Sequence, residues 1–172
     1  MTDRAAAADT VAAYLEDSGL DWEPGARDGE FVVTLPGEKK LTTVTSLVVG
    51  EESMSLSAFV VRNPDENHEA VYRFLLRRNL KLPGIGYAVD TSGDVYLTGR
   101  VPLRAVDAAH LDDLLGAVLS AADDPFNELL VLGFLSSMRK EWEWRVSRGE
   151  SLRNLEAFRE ILQRPGDPPP RA

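Results

Sequence analysis

Four basic side chains fall within one short stretch of a predicted helix and could bind an anion. They are Arg73, Arg77, Arg78 and Lys81. Arg73 and Arg77 are four residues apart, so they share one helix face and could grip a phosphate or an acidic peptide together. The alternative is an ordinary solvated face, because cations suit the C-terminal half of a helix. An anion-binding or acidic-peptide-binding face is therefore one prediction.

A pair of tryptophans, Trp142 and Trp144, is the second unusual feature. Two residues along a helix correspond to a rotation of about 200°, so both rings cannot face the same core. One ring should pack inside, and the other should be half exposed or contact a partner. The alternative is that the following helix covers it. Together with Arg145, the two tryptophans are the predicted protein-binding residues.

The residue types that most catalytic and metal chemistry needs are scarce. The chain has no cysteine and only two histidines, His68 and His110. This composition removes thiolate chemistry and disulfides and leaves little for histidine metal sites. Neighbouring carboxylates such as Asp112 and Asp113 point about 100° apart on a helix, so they do not form facing acids. The sequence predicts no enzymatic activity, no metal and no cofactor.

Two short motifs resemble ligand-binding loops but fit turns better. Gly84 and Gly86 precede a predicted strand, whereas a phosphate loop needs a helix after it. The run Asp90-Thr91-Ser92-Gly93-Asp94 resembles the start of a calcium loop, yet Val101 occupies the position of the bidentate acid. Both motifs are therefore predicted to be turns.

The composition is typical of one acidic globular domain. The chain has 172 residues, of which 44% are hydrophobic and 27% charged. Its 28 acidic and 19 basic residues give a formal net charge of −9, which disfavours nucleic acid and anionic membranes as partners. The apolar runs are too short for a signal peptide or a membrane span. We expect a soluble, cytoplasmic protein.

Apolar periodicity predicts an α+β domain that positions these residues. It indicates an antiparallel sheet of about five strands packed with helices, in the order α-β-β-β-α-β-β-α. Asn63 and Pro64 are predicted to start the second helix, and Asp107 to start the third. The most regular apolar face belongs to this third helix and contains Leu111, Leu114, Leu115, Val118 and Leu119.

A C-terminal helical pair is predicted after this core. Asp124 and Pro125 should open a long helix, and although residues 142–146 alternate like a strand, charge pairs at helical spacing favour helix. A last helix should begin at Ser151. The predicted organisation is a single domain with a disordered, proline-rich tail. The ranges are 1–163 for the domain, 1–123 for its core, 124–163 for the helical extension and 164–172 for the tail.

Several segments in combination resemble the YbjN-domain proteins, a bacterial family named after sensory transduction regulation. The segments are Asn63-Pro64-Asp65-Glu66-Asn67, Leu75-Leu76-Arg77-Arg78-Asn79-Leu80, Gly93-Asp94-Val95-Tyr96-Leu97 and Leu111-Asp112-Asp113-Leu114-Leu115. The stretch from Phe126 to Arg145 is similar to the longer actinobacterial members. The resemblance implies a fold like that of type III secretion chaperones, with helices packed on an antiparallel sheet. It supplies no catalytic residues.

These observations predict a non-enzymatic protein-binding or regulatory module, chaperone-like or adaptor-like, that works as a homodimer. The alternative is a regulator that senses a small-molecule or phosphate ligand through the basic face of the second helix. The C-terminal helices could pack on their own sheet or exchange with a second subunit.

Overall fold

The computed structural model describes residues 3–164, which form helices around a six-stranded antiparallel sheet of order β1-β2-β3-β4-β6-β5. The N-terminal elements are α1 (Asp3–Ser18), β1 (Asp21–Pro24), β2 (Glu30–Pro36), β3 (Thr42–Val49), β4 (Ser53–Val61) and α2 (His68–Asn79). The C-terminal elements are β5 (Ile85–Val89), β6 (Val95–Pro102), α3 (Ala108–Asp123), α4 (Phe126–Arg148) and α5 (Arg159–Leu162). Apart from Arg164, the predicted disordered tail lies outside these residues.

The predicted α+β class is confirmed, with one strand more than expected. The extra strand is β1, which pairs with β2 and places Trp22 opposite Val33. Its sequence, Asp-Trp-Glu-Pro, has only one strong strand former, and the proline made a loop the natural prediction. Pro24 is tolerated because β1 lies at the edge of the sheet.

One face of the sheet carries the core, which α1 and α3 cover. Along β4, Met54, Leu56 and Ala58 alternate with serines and are almost fully buried, as period-two geometry requires. The opposite face carries small hydroxyl side chains in register, with Ser57 of β4 between Ser46 of β3 and Thr98 of β6.

The predicted start of the second helix is wrong. The helix begins at His68, and its N-cap residue is Asn67 in the left-handed conformation, with φ of 54°. Asn63 does not cap it because its side-chain amide donates to the Ser92 carbonyl, while its backbone N–H donates to Asp94. The asparagine therefore holds the β5–β6 turn.

The third and fourth helices follow the predictions more closely. Asp107 caps α3, accepting a 2.8 Å hydrogen bond from the His110 N–H. The long helix α4 continues through both tryptophans, but its start differs, because Asp124 is the C-cap of α3 and makes no cap for α4. The predicted last helix is instead a 3-10 segment, Arg153–Phe158, followed by the single turn of α5.

The extension packs on its own chain, where α4 contacts α2. The backbone N–H groups of Asp65 and Glu66 donate to the Gly133 carbonyl, and the Glu66 carboxylate accepts two hydrogen bonds from Ser136. A side chain at position 133 would meet Pro64 at 3.0 Å. Glycine therefore allows α4 to approach the segment before α2 closely.

Candidate protein-interaction surface

The orientation of α2 is set by two residues of its inner side. Val71 and Leu75 are 0% and 2% exposed and belong to the core. The outward side is also apolar, with Tyr72, Leu76 and Leu80 spaced four residues apart. We call these three residues the apolar stripe. Leu76 is 63% exposed and Leu80 is 86% exposed, which is costly for side chains of this kind in water.

The apolar stripe lines a shallow depression of about 650 Å³, and charged residues form its border. Glu69 and Arg73 form an ion pair with each other at one end, and Arg77 lies towards the other. The His68 ring packs against the Tyr72 ring, with their centroids 6.0 Å apart. An apolar centre within a polar border is the usual anatomy of a protein interface.

The structure divides the predicted basic cluster between the two sides of α2. Arg73 borders the stripe, whereas Arg78 lies over the Phe74 ring at 5.4 Å on the other side. Arg77 contributes to both sides. Lys81 follows the helix and lines a second cavity of about 780 Å³, which we call the cationic cleft. Its lining residues are Phe74, Arg77, Arg78, Leu80, Lys81, Leu82 and Glu128.

The two tryptophans have different environments, as the helical spacing predicts. Trp142 is 7% exposed and contributes to the core, while Trp144 is 47% exposed and has Arg148 over its ring at 5.2 Å. Arg145 donates hydrogen bonds to Glu141 and to the Ser151 carbonyl. Trp142 and Arg145 therefore hold the extension together, and Trp144 is the tryptophan that a partner could reach.

An asparagine clamp closes the sheet edge beside α2. Asn79, the last residue of the helix, accepts a 2.7 Å hydrogen bond from the Tyr87 N–H and donates one of 3.2 Å to the Tyr87 carbonyl. The side-chain amide thus occupies both groups that Tyr87 of the edge strand β5 would offer to another strand. The backbone of Tyr87 is therefore not free to pair with another strand.

Two titrating groups near α2 have shifted pKa values. The Tyr87 hydroxyl donates to the Ala121 carbonyl at 2.5 Å; its burial raises its pKa, and the Arg78 guanidinium partly offsets that rise. Hydrogen bonds from Arg62 and Ser137 lower the pKa of Asp65 to about 2. Because Ser137 belongs to α4, Asp65 connects the segment before α2 to the extension.

In residues 3–164, no group of three or more His, Cys, Asp or Glu side chains is placed to hold a metal ion. His110 and Asp113 are both exposed, as expected. In the same part of the chain, no helix combines the length and the apolar character that crossing a membrane requires.

The sequence analysis missed the apolar stripe. In this region only the basic residues Arg73, Arg77, Arg78 and Lys81 were predicted to form a binding face. The available signal was the spacing of Tyr72, Leu76 and Leu80, which recur every four residues on a different face from Val71 and Leu75.

Solved structures define the class of fold. The ExsC–ExsE complex matches with a TM-score of 0.56 at 18% identity, covering 75% of this chain and 97% of that chain. The heterodimeric ExoU–SpcU complex from the type III secretion system of Pseudomonas aeruginosa has a TM-score of 0.50 at 18% identity, covering 71% and 96%. The Yersinia pestis type III secretion chaperone SycH, in complex with a YscM2 fragment, has a TM-score of 0.49 at 16% identity, covering 67% and 96%. The fold is that of type III secretion chaperone-like proteins.

The family follows from sequence comparison. The family described as "YbjN: Putative bacterial sensory transduction regulator" matches residues 7–131. An uncharacterised protein of Mycobacterium leprae is 53% identical over 145 residues, which cover 83% of this chain and 79% of that protein. One of Mycobacterium tuberculosis is 56% identical over 135 residues, covering 78% and 74%. This chain belongs to the YbjN family.

Proposed function

We propose that this protein is a non-enzymatic protein-binding or regulatory module, chaperone-like or adaptor-like, that works as a homodimer. In this proposal the apolar stripe of α2 is buried between the two copies. The exposure of Leu76 and Leu80 is the observation that carries it. Burying one leucine side chain stabilises an assembly by about 1.5–3 kcal/mol, and a two-fold interface counts every residue twice.

The charges along α2 support a second copy as the occupant. Beside the apolar stripe, Glu69 lies in the first turn of α2 and Arg77 in the last. Two helices that pack antiparallel about a two-fold axis place the acidic start of each beside the basic end of the other. The helix dipoles are then also opposed, which favours this arrangement over a parallel one.

We also propose that residues 1–163 form a single domain, in which residues 124–163 are a helical extension of the core. The protein acts in the cytoplasm. The net charge of −9 supports protein rather than nucleic acid or anionic membrane as the partner. The fold neighbours described above were solved in complex with other proteins, which supports a protein-binding role.

Sedimentation velocity tests the homodimer. The wild-type chain should sediment at twice its mass of 18.9 kDa, and Leu76→Asp should sediment as a monomer. Val44→Asp is the matched control, because Val44 is 51% exposed on the sheet, away from α2. A monomeric wild type, or a Leu76→Asp variant that still dimerises, would contradict the proposal.

A second candidate contact for a different protein partner is Trp144. The exposed ring and the Arg148 cation above it favour a partner segment with apolar and acidic side chains. Trp144→Ala should weaken association with this partner and leave the midpoint of thermal unfolding nearly unchanged. A large drop in the midpoint with association intact would identify Trp144 as a packing residue instead.

A further inference from the structure

We propose that the cationic cleft binds an organic dianion with an apolar body, of the aryl phosphate type. The cleft lies between the C-terminal turn of α2, the residues that follow it, and the first turn of α4, which contributes Glu128. The cleft shares Leu80 with the apolar stripe and Arg77 with its border, but Phe74, Arg78, Lys81, Leu82 and Glu128 line the cleft alone.

The residues that line the cleft carry more positive than negative charge. Arg77, Arg78 and Lys81 face a single acid, Glu128. Among the ion pairs of residues 3–164, none involves any of these four side chains. Although the chain has a net charge of −9, the residues that line this cleft carry an excess of two positive charges. A ligand with two negative charges neutralises that excess.

One of the three cations is already held in place. The Arg78 guanidinium lies over the Phe74 ring and interacts with the Tyr87 hydroxyl, which itself donates to the Ala121 carbonyl. An arginine that is fixed before binding loses little conformational freedom when it contacts an anion. Arg77 and Lys81 complete the set from neighbouring positions.

The remaining walls of the cleft are apolar. Phe74, Leu80 and Leu82 line it together with the charged groups. Its volume of about 780 Å³ lies within the roughly 300–1,000 Å³ that small-molecule sites occupy. Inorganic phosphate would leave these apolar walls in contact with water, whereas an aryl group would cover them. A phosphate monoester carries about −1.5 to −2 charges at pH 7, which matches the excess.

Isothermal titration calorimetry with three probes tests the ligand class. The probes are 4-nitrophenyl phosphate, which has both features, inorganic phosphate, which lacks the apolar body, and 4-nitrophenol, which lacks the phosphate. We expect 4-nitrophenyl phosphate to bind at least about tenfold more tightly than either of the other two. Equal binding of inorganic phosphate, or no binding of the aryl phosphate, would overturn the proposal.

Variants of the cleft test its location. Lys81→Gln should weaken binding of 4-nitrophenyl phosphate about tenfold, and Glu128→Gln should strengthen it severalfold because it removes the one repulsive charge. Arg100→Gln is the matched control, since Arg100 is an exposed arginine on β6. Equal effects of Lys81→Gln and Arg100→Gln would overturn the assignment.

The Leu76→Asp variant separates this proposal from the homodimer. It should bind 4-nitrophenyl phosphate as the wild type does, whether or not the wild type dimerises. Loss of binding in a folded Leu76→Asp protein would place the ligand on the apolar stripe and contradict the cleft assignment.

Discussion

The two sides of α2 differ in what the protein leaves uncompensated. On the outward side, Glu69 and Arg73 neutralise each other, but the leucines of the apolar stripe remain in water. On the side facing α4, Phe74 is covered by Arg78, but the three cations of the cationic cleft face only one acid, Glu128. Exposed apolar area on a convex helix favours another protein surface, whereas unbalanced charge in a concave site favours a small anion.

The largest effect on stability should come from a substitution on the core side of α2, compared with the same substitution on its outward side. Leu75 and Leu76 are adjacent and chemically identical, yet they are 2% and 63% exposed. In a monomeric Leu80→Asp background, Leu75→Ala should lower the free energy of unfolding by about 3 kcal/mol, and Leu76→Ala by less than about 0.5 kcal/mol. Urea unfolding measures both. Similar losses for the two variants would remove the distinction on which the apolar stripe rests.

An intermediate effect is expected at the Asn79 clamp. Asn79→Ala removes two hydrogen bonds to the Tyr87 backbone, so the free energy of unfolding should fall by about 1–2 kcal/mol. Asn79→Asp retains an acceptor for the Tyr87 N–H but places a carboxylate oxygen against the Tyr87 carbonyl, so its loss should be at least as large. The freed edge of β5 should also make Asn79→Ala prone to association beyond the dimer. Unchanged stability would show that the clamp does not hold α2 on β5.

The smallest effect is a pH dependence at the junction with α4. Hydrogen bonds from Arg62 and Ser137 lower the pKa of Asp65 from its ordinary 3.8 to about 2. Between those values the unfolded chain binds more protons, so this contribution is present above pH 4 and is lost as the pH falls towards 2. The stability gap between wild type and Asp65→Asn should therefore narrow over that interval.

Ser137→Ala sharpens the Asp65 test. It removes one of the two hydrogen-bond partners that lower the pKa of Asp65. The difference in unfolding free energy between Ser137→Ala and the Asp65→Asn, Ser137→Ala double variant should therefore change less with pH than the difference between wild type and Asp65→Asn. Urea unfolding between pH 2 and pH 6 measures the four free energies. A gap that stays constant with pH would show that Asp65 does not connect α2 to the extension in this way.

The sequence predicts most where local signals agree. In α3, the Asp107 cap and a single apolar face both define the helix, and four of the five residues predicted for that face are buried. The start of α2 is missed because Asn63 is a good N-cap by type, yet it is used by the β5–β6 turn, which is distant in sequence. The strand β1 is missed because its pairing with β2 supplies what its own residues lack.

The candidate surface depends on how the helices pack, which the apolar periodicity of the sequence does not determine. Periodicity shows that α2 is apolar on several sides, but only packing decides that Val71 and Leu75 face the core while the apolar stripe does not. The basic cluster was found from its spacing, and its division between two sides of α2 follows from where α4 packs.

Disulfide formation in a Leu76→Cys variant tests the central claim most directly. The chain contains no cysteine, so a single introduced thiol reports on its own surroundings. Leu76 is the middle residue of the apolar stripe, and a two-fold axis through that point brings the two copies of residue 76 together. Mild oxidation at low protein concentration should give a covalent dimer for Leu76→Cys and far less for Val44→Cys. Equal yields from the two variants, or no covalent dimer at position 76, would contradict the account.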